Sequence, residues 1–500
     1  MSIPTMRLST ATLSRLPDGV ARPAYDRAAQ AVGIVHIGIG AFHRAHQAAY
    51  TDDAMNAGDR NWAIMGVSLR STDVRDQMAP QDGLYTLTQR SAAGDAARLI
   101  GAVQGALHAP SDPQAVIARI AAPQCAIVSL TVTEKGYCRA ADGTLDFENP
   151  AVASDVLGQA APASIYGYLA RGMASRRAAG LPGITILCCD NLSHNGRVVA
   201  ALLTQFLDRV DPSLSAWFRA ECACPSTMVD RIVPATTADD RARTAAALGM
   251  VDDAAVVTEP FRQWVIEDSF AGPRPRWDVA GAQFVADVGP YETAKLRMLN
   301  GAHSAIAYIG LMRGHEYVHQ AMGDGAIAPL VRQLMLNEAA ATLAPADGQD
   351  LPAYAQSLID RFANSALPHR LIQIAMDGTQ KIPQRWLETA AWHQQHGGAP
   401  CPAILTAYAA WLAFVRADIF PVADPMADAL AAMWHSADAG GAGDGAADDA
   451  AAAAVIARMT GPQSPFASHW QGTSADRASL VTMLAGFLAG AHIANQSRSG

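Results

Sequence analysis

The 500-residue chain predicts an α/β protein. Its N-terminal part reads as a doubly wound, mostly parallel sheet and its C-terminal part as mostly α-helical. Three observations carry this expectation. Apolar strand-like runs alternate with helical segments through the first half, the pattern of a sheet with crossover helices. A glycine-rich turn closes the first of those strands. Beyond about residue 285 the strand signals nearly stop, while Ala- and Leu-rich segments keep a helical period.

The elements follow in order. The first strand lies in 33–40 (GIVHIGIG) and leads straight into a helix opening at Ala41. A second is expected at 62–69 (WAIMGVSL), a third at 125–133 (CAIVSLTVT) and a fourth at 184–189 (ITILCC). Helices are expected over 151–179 and 197–220. Further helical segments are 291–312, 325–343, 352–363, 401–416 and 478–494, so the domains are placed at 1–288 and 289–500. Residues 437–454 are low in complexity and read as a surface loop running into a helix. No internal repeat is present.

Composition narrows the function. Half of the residues are hydrophobic and 17% are charged, which excludes a disordered chain. The net charge of −9 comes without any basic run, which argues against a nucleic-acid partner. The N-terminus lacks the apolar core and cleavage site of a signal peptide. The stretches 403–415 and 479–497 are read as buried helices rather than membrane spans, because polar residues interrupt both. The 7 cysteines are odd in number and lack metal-site spacing, so reduced thiols in a cytoplasmic, metal-free protein are expected. Lysine occurs only at Lys135, Lys295 and Lys381 among 37 basic residues. Arginine-rich coding explains the scarcity, and the survivors mark places where arginine does not serve.

Gly38-x-Gly40-x-x-His43 is a near miss to the dinucleotide fingerprint. The two glycines permit a tight turn and close approach of the backbone to a pyrophosphate at a helix N-terminus. Histidine stands where the third glycine normally allows helix and strand to pack closely. Asp73, beyond the second strand, is the candidate partner for the ribose hydroxyls of NAD, whereas Arg70 nearby would favour the 2′-phosphate of NADP.

The densest polar set on an apolar helix is Tyr291-Glu-Thr-Ala-Lys-Leu-Arg-Met-Leu-Asn-Gly-Ala-His-Ser304. At 100° per residue, Glu292, His303 and Asn300 fall at about 60°, 80° and 140° from Lys295, on one arc. A polar surface stripe, or core residues bonded to one another, would give the same pattern. The apolar run to Met312 and the choice of lysine weigh against both. A desolvated lysine can shed its proton and act as a base, while arginine stays charged to about pH 12. Alcohol oxidation needs such a base, together with neutral donors for the developing alkoxide, for which the Asn191 and Asn300 amides are suited. His303 is placed to orient a substrate hydroxyl.

These residues fall within a longer series: Gly38-Ile-Gly-Ala-Phe-His-Arg-Ala-His46, Ser129-Leu-Thr-Val-Thr-Glu-Lys-Gly-Tyr137, Cys189-Asp-Asn191, Met228-Val-Asp-Arg231, Glu259-Pro-Phe-Arg-Gln-Trp-Val-Ile-Glu-Asp268, Lys295-x-x-x-Leu-Asn300-x-x-His303 and Asp377-Gly-Thr-Gln-Lys381. In order and over residues 20 to 420, the series resembles the mannitol dehydrogenase family of metal-independent polyol dehydrogenases. The resemblance implies a Rossmann-type N-terminal domain, a helical C-terminal domain and an active site between them. It implies NAD(P)-dependent interconversion of a sugar alcohol or aldonate with a ketose or ketouronate. It also implies that Lys295 is the general base, that Asn191 and Asn300 steady the oxyanion, and that His303, Asp230 and Lys381 contact substrate. Glu292 would couple the base to solvent, and Gly38, Gly40 and Phe42 would lie along the cofactor. Lys135 falls at a strand end, either toward the ligands or in a salt bridge.

Within the family, the stretch Leu367-Pro-His-Arg-Leu-Ile-Gln373 through Arg385 resembles fructuronate reductases (mannonate oxidoreductases) more than mannitol 2-dehydrogenases, some of which carry arginine at the place of Gln373. A hexuronate presents a carboxylate that Arg370 could hold in bidentate fashion; the plain alternative is that Arg370 pairs with a surface acid. A non-catalytic NAD-binding redox sensor would keep Gly38 and Gly40 yet lose the base or an oxyanion donor, and here all are present.

Overall fold

A computed structural model describes residues 6–416, 418–438 and 445–498. The chain forms two compact units, Met1–Gly289 and Pro290–Gly500.

The first unit is built on a five-stranded sheet in the order β5-β2-β1-β6-β7, with every neighbouring pair parallel. Its strands are β1 (Val32–Ile37), β2 (Ala63–Ser68), β5 (Val103–His108), β6 (Ile127–Leu130) and β7 (Thr185–Cys188). This is the doubly wound sheet that the alternation predicts, and the Rossmann-type domain that the resemblance implies. Both faces are covered, which is why the strands read as nearly unbroken apolar runs. Val35, Ile37, Val128, Leu130 and Ile186 pack on one side with the helices Ile165–Ala178 and Asn195–Val210. Ile34, Ile64, Ile127 and Leu187 pack on the other with Ala45, Ala48 and Tyr50.

Two small sheets lie outside those expectations. A hairpin of β3 (Tyr85–Ser91) and β4 (Gly94–Ile100) joins β9 (Val256–Thr258). β8 (Thr227–Asp230), β10 (Gln263–Glu267) and β11 (Gln283–Val285) form the other, with β8 antiparallel to β10. Their residues are mixed and short-range patterns are weak; β4, for example, begins Gly-Asp-Ala-Ala and is exposed there. The helix expected over 151–179 divides into Pro150–Leu157 and Ile165–Ala178, because Gly158 terminates the first at φ 69° and Ser164 caps the second.

Among the described residues of the second unit the regular elements are helices, joined by loops. The expected segments recur as Gly301–Met312, Ile327–Gln333, Leu351–Phe362, Pro402–Phe414 and Ser474–Arg498, and further helices span Gly378–Ile382, Ala427–Asp438 and Gly445–Thr460. Three stretches are π-helical: Lys295–Asn300, Leu334–Ala339 and Pro383–Leu387. In the last, Pro383 has no N–H to continue an α-helical ladder. The loop anticipated within 437–454 falls on 439–444, outside the described residues, as do residues 1–5 of the N-terminal segment. No helix among the described residues is long and apolar enough to cross a membrane.

Candidate functional site

In the first unit the glycine-rich turn ends β1. Gly38 has φ 102°, and a Cβ there would collide with the Thr131 carbonyl, so both backbone and packing demand glycine. Gly40 differs. Its φ of −79° suits any residue, and a Cβ would meet nothing closer than the Gly38 carbonyl oxygen at 3.9 Å. The protein's own packing leaves room above Gly40, at the N-cap of the helix Ala41–Ala45. That room fits a dinucleotide, whose pyrophosphate needs close approach to free backbone N–H groups. Phe42 follows on this helix, half-buried and stacked on His46 at 5.1 Å.

His43 fills the place of the third fingerprint glycine. Its ring lies 3.4 Å from that of His36 on β1, almost parallel, so helix and strand pack through a histidine stack. His36 bridges to Ser129 Oγ at 2.8 Å and Thr131 Oγ1 at 2.9 Å. Burial pushes His36 down to about 3 and His43 far below the usual histidine range, so both are neutral. Asp73 opens the helix Asp73–Met78 and is exposed, as is Arg70.

Asp190 and Asn191 follow β7. The Asp190 carboxylate accepts hydrogen bonds from the N–H of Val132 (2.8 Å), the N–H of Thr133 (3.1 Å) and the Tyr137 hydroxyl (2.6 Å). Burial raises its pKa, against the pull of those donors. Asn195 fastens the same strand end to β8, donating to the carbonyls of Asp190 (3.0 Å) and Thr227 (2.8 Å). The roles of Asp190 and Asn195 were not anticipated, because short polar residues after a strand look alike in sequence whether they bind ligand or backbone. Asp230 ends β8, buried, opposite Gln263 in the ladder. Its neighbour Arg231 is structural: Nη2 donates to the Glu259 carbonyl at 2.8 Å, and the Glu259 carboxylate accepts the Ile232 N–H at 2.6 Å. Lys135 is exposed, and no ion pair of it is found among the described residues.

In the second unit Glu292 lies on the helix Gly289–Ala294, and Lys295 begins the π-helical segment that ends at Asn300. The regular 100° spacing therefore does not carry from Lys295 to Asn300. Hydrogen bonds of i→i+5 type widen the turn, and each residue advances by less. Single π turns of this kind occur often at functional sites. Glu292, Lys295, Asn300 and His303 are all half-buried.

His303 stacks on Phe362 at 5.1 Å and meets His369 edge-on at 5.1 Å. Burial first, then His369 and the charges of Arg361 and Arg385, hold it well below the usual range; a neutral ring can both donate and accept. Lys381 lies on the helix Gly378–Ile382, its Nζ 2.6 Å from the Met376 carbonyl and 3.7 Å from Asp377. Burial and the nearby Arg385 lower its pKa, against Asp377. Arg370 is exposed and bonded to Glu316 at 2.6 Å, so its guanidinium already has a carboxylate.

Arg385 and Trp386 were given no role at the level of sequence. Arg385 Nη1 donates to the Asn300 carbonyl (3.3 Å) and Ser304 Oγ (2.6 Å), and Trp386 Nε1 donates to the Gly301 carbonyl (3.0 Å). The third π segment thus supplies donors where the first returns to α-helix. The seven cysteines are free thiols, and no cluster of metal-ligating side chains is found among the described residues.

Comparison with known proteins gives two family matches. The model for the mannitol dehydrogenase Rossmann domain matches residues 32–279, and that for the mannitol dehydrogenase C-terminal domain matches residues 287–442. D-mannonate oxidoreductase of Escherichia coli is 43% identical over 397 residues, 78% of this chain and 81% of that protein. Mannitol 2-dehydrogenase of Phaeosphaeria nodorum is 38% identical over 440 residues, 86% of this chain and 77% of that one. Among solved structures, the ternary complex of Pseudomonas fluorescens mannitol 2-dehydrogenase with NAD and D-mannitol matches with a TM-score of 0.75 at 34% identity, covering 97% of this chain and 96% of that one.

Proposed function

The chain belongs to the mannitol dehydrogenase family, and from that premise we propose that it interconverts a ketouronate and an aldonate, in the manner of a fructuronate reductase. It is an NAD-dependent oxidoreductase acting on a CH–OH group. The observation that carries the substrate class is the 43% identity to D-mannonate oxidoreductase. Oxidation of a neutral polyol such as mannitol is the second reading, favoured by the mannitol 2-dehydrogenase relatives.

NAD supplies the hydride acceptor, and NADH the donor, at C4 of the nicotinamide. The chain's own residues do the rest. Gly38 would shape the turn, Gly40 would admit the pyrophosphate, Phe42 would lie along the cofactor, and Asp73 would accept the ribose hydroxyls. Lys295 takes the proton from the substrate hydroxyl during oxidation and returns it during reduction, with Glu292 linking its Nζ to solvent. The Asn191 and Asn300 amides donate to the oxygen as charge develops. His303, Asp230 and Lys381 orient the remaining hydroxyls. The carboxylate contact expected of Arg370 is not carried forward, because Glu316 already neutralises it.

The test is a side-by-side assay of fructuronate, tagaturonate, fructose and xylulose with NADH and with NADPH. A ketouronate should be reduced with the highest kcat/KM, with NADH preferred. Faster turnover of fructose than of fructuronate would transfer the assignment to the polyol reading.

A further inference from the structure

We propose that the Arg385 guanidinium binds the substrate carboxylate and so selects a uronate or aldonate over the neutral sugar; the inference rests on the reaction class proposed above.

The argument starts from how arginines of the second unit are paired. Arg297 has Glu388, Arg313 has Asp324, Arg370 has Glu316, and Arg416 has Asp418 and Asp438. Arg385 is half-buried, yet no carboxylate lies within 4 Å of it among the described residues. Burial pushes it down to about 10, with only Tyr308 opposing. A desolvated cation without a counter-charge is costly to keep.

Holding the Asn300 carbonyl does not explain the charge. One residue along the same segment, Trp386 performs the equivalent task on Gly301 with a neutral N–H. Nor does that task occupy the whole guanidinium. Only Nη1 is bonded, to Asn300 and Ser304. Nε and Nη2 have no protein acceptor among the described residues, and neither is sealed from solvent. That free edge carries the two parallel donors that match a carboxylate in bidentate fashion.

Its place is also suitable. Arg385 is bonded to the backbone of Asn300, one proposed oxyanion donor, and its charge bears on His303 and Lys381, two proposed substrate contacts. An anionic group entering there would meet a guanidinium and an ammonium together. A neutral ketose would leave that charge unanswered.

Steady-state kinetics of the unaltered enzyme, R385Q and R385K with fructuronate and with fructose test the assignment. R385Q should raise the ratio of KM for fructuronate to KM for fructose by about 10- to 100-fold, the loss expected for a charge-assisted bidentate contact. R385K, which keeps the charge but not the fork, should fall between. Parallel losses on both substrates, or an unchanged ratio, would overturn the proposal and leave Arg385 as support for Asn300. If R385Q does not fold, R385K must still raise the ratio, and its failure to do so is equally decisive against the proposal. Failure of the unaltered enzyme to reduce fructuronate at all would instead remove the reaction class, a result read before any variant is made.

Discussion

Asp190 holds the main chain of Thr133 in a conformation that threonine seldom adopts. Its Oδ1 accepts the Thr133 N–H at 3.1 Å, and Thr133 sits at φ 64°, ψ 163°, a region used almost only by glycine. The same carboxylate binds Val132 and Tyr137, so one side chain shapes the loop after β6 while its chain neighbour is Asn191. Such strain costs about 1–3 kcal/mol and persists only where the surroundings impose it.

If Asp190 imposes that conformation, Thr133→Gly should stabilise the protein by about 1 kcal/mol, and Asp190→Ala should destabilise it by about 2–3 kcal/mol. In the Asp190→Ala background the gain from Thr133→Gly should shrink. A double-mutant cycle by urea unfolding measures this, and additivity within about 0.5 kcal/mol would show that the two residues are independent.

The two fingerprint glycines should separate cleanly. Gly38→Ala faces a left-handed φ and a collision with Thr131, so it should lose about 2 kcal/mol or more of stability. Gly40→Ala has neither problem and should fold with an unchanged midpoint while weakening NADH binding about tenfold or more. Thermal unfolding and fluorescence titration of NADH read the two effects. Normal NADH affinity in Gly40→Ala would remove the pyrophosphate from that position.

Lys295→Ala should lower kcat by about 10²- to 10⁴-fold, the range for a lost general base, with NADH affinity nearly intact. Lys295→Arg should fail comparably near neutral pH, because guanidinium does not release its proton there. Partial rescue of the alanine variant by added primary amines would strengthen the assignment; kcat within threefold of the unaltered enzyme would end it.

Acid should weaken the fold through buried and half-buried neutral histidines. Burial lowers His36, to about 3, and also His43, His303 and His369. Each binds a proton near pH 6.5 only after unfolding. The stability they confer is therefore complete above that pH and lost as pH falls from 6.5 toward the folded-state values. The slope reaches about 1.4 kcal/mol per pH unit for each histidine. Urea midpoints between pH 7.5 and 5 should drop accordingly, and His36→Gln should flatten the profile; a level profile in the unaltered protein would contradict the burial argument.

Much of this molecule was legible in its sequence. The strands β1, β2, β6 and β7 announce themselves because both faces of a doubly wound sheet are buried, which leaves unbroken apolar runs. Gly38 is legible because a turn after a strand has few other solutions, and Lys295 because a lone lysine in an apolar helix needs a reason. The small sheets were not legible: β4, although it forms a hairpin with β3, opens Gly-Asp-Ala-Ala without an apolar pattern, and β9 is only three residues long and pairs with β3 far back along the chain. Arg385 was equally hidden: in sequence it is one arginine among many.

The sequence by itself determined the alternation of strand and helix, the glycine turn and the polar residues from Glu292 to His303, because each depends on neighbours within a few positions. Only the tertiary structure decided that Lys295–Asn300 winds as a π-helix, that Asp190 holds Thr133, that Arg370 meets Glu316 and that Arg385 meets no carboxylate among the described residues. Each is a pairing between groups brought together by packing, and the free energy of a charge is set by what surrounds it in space.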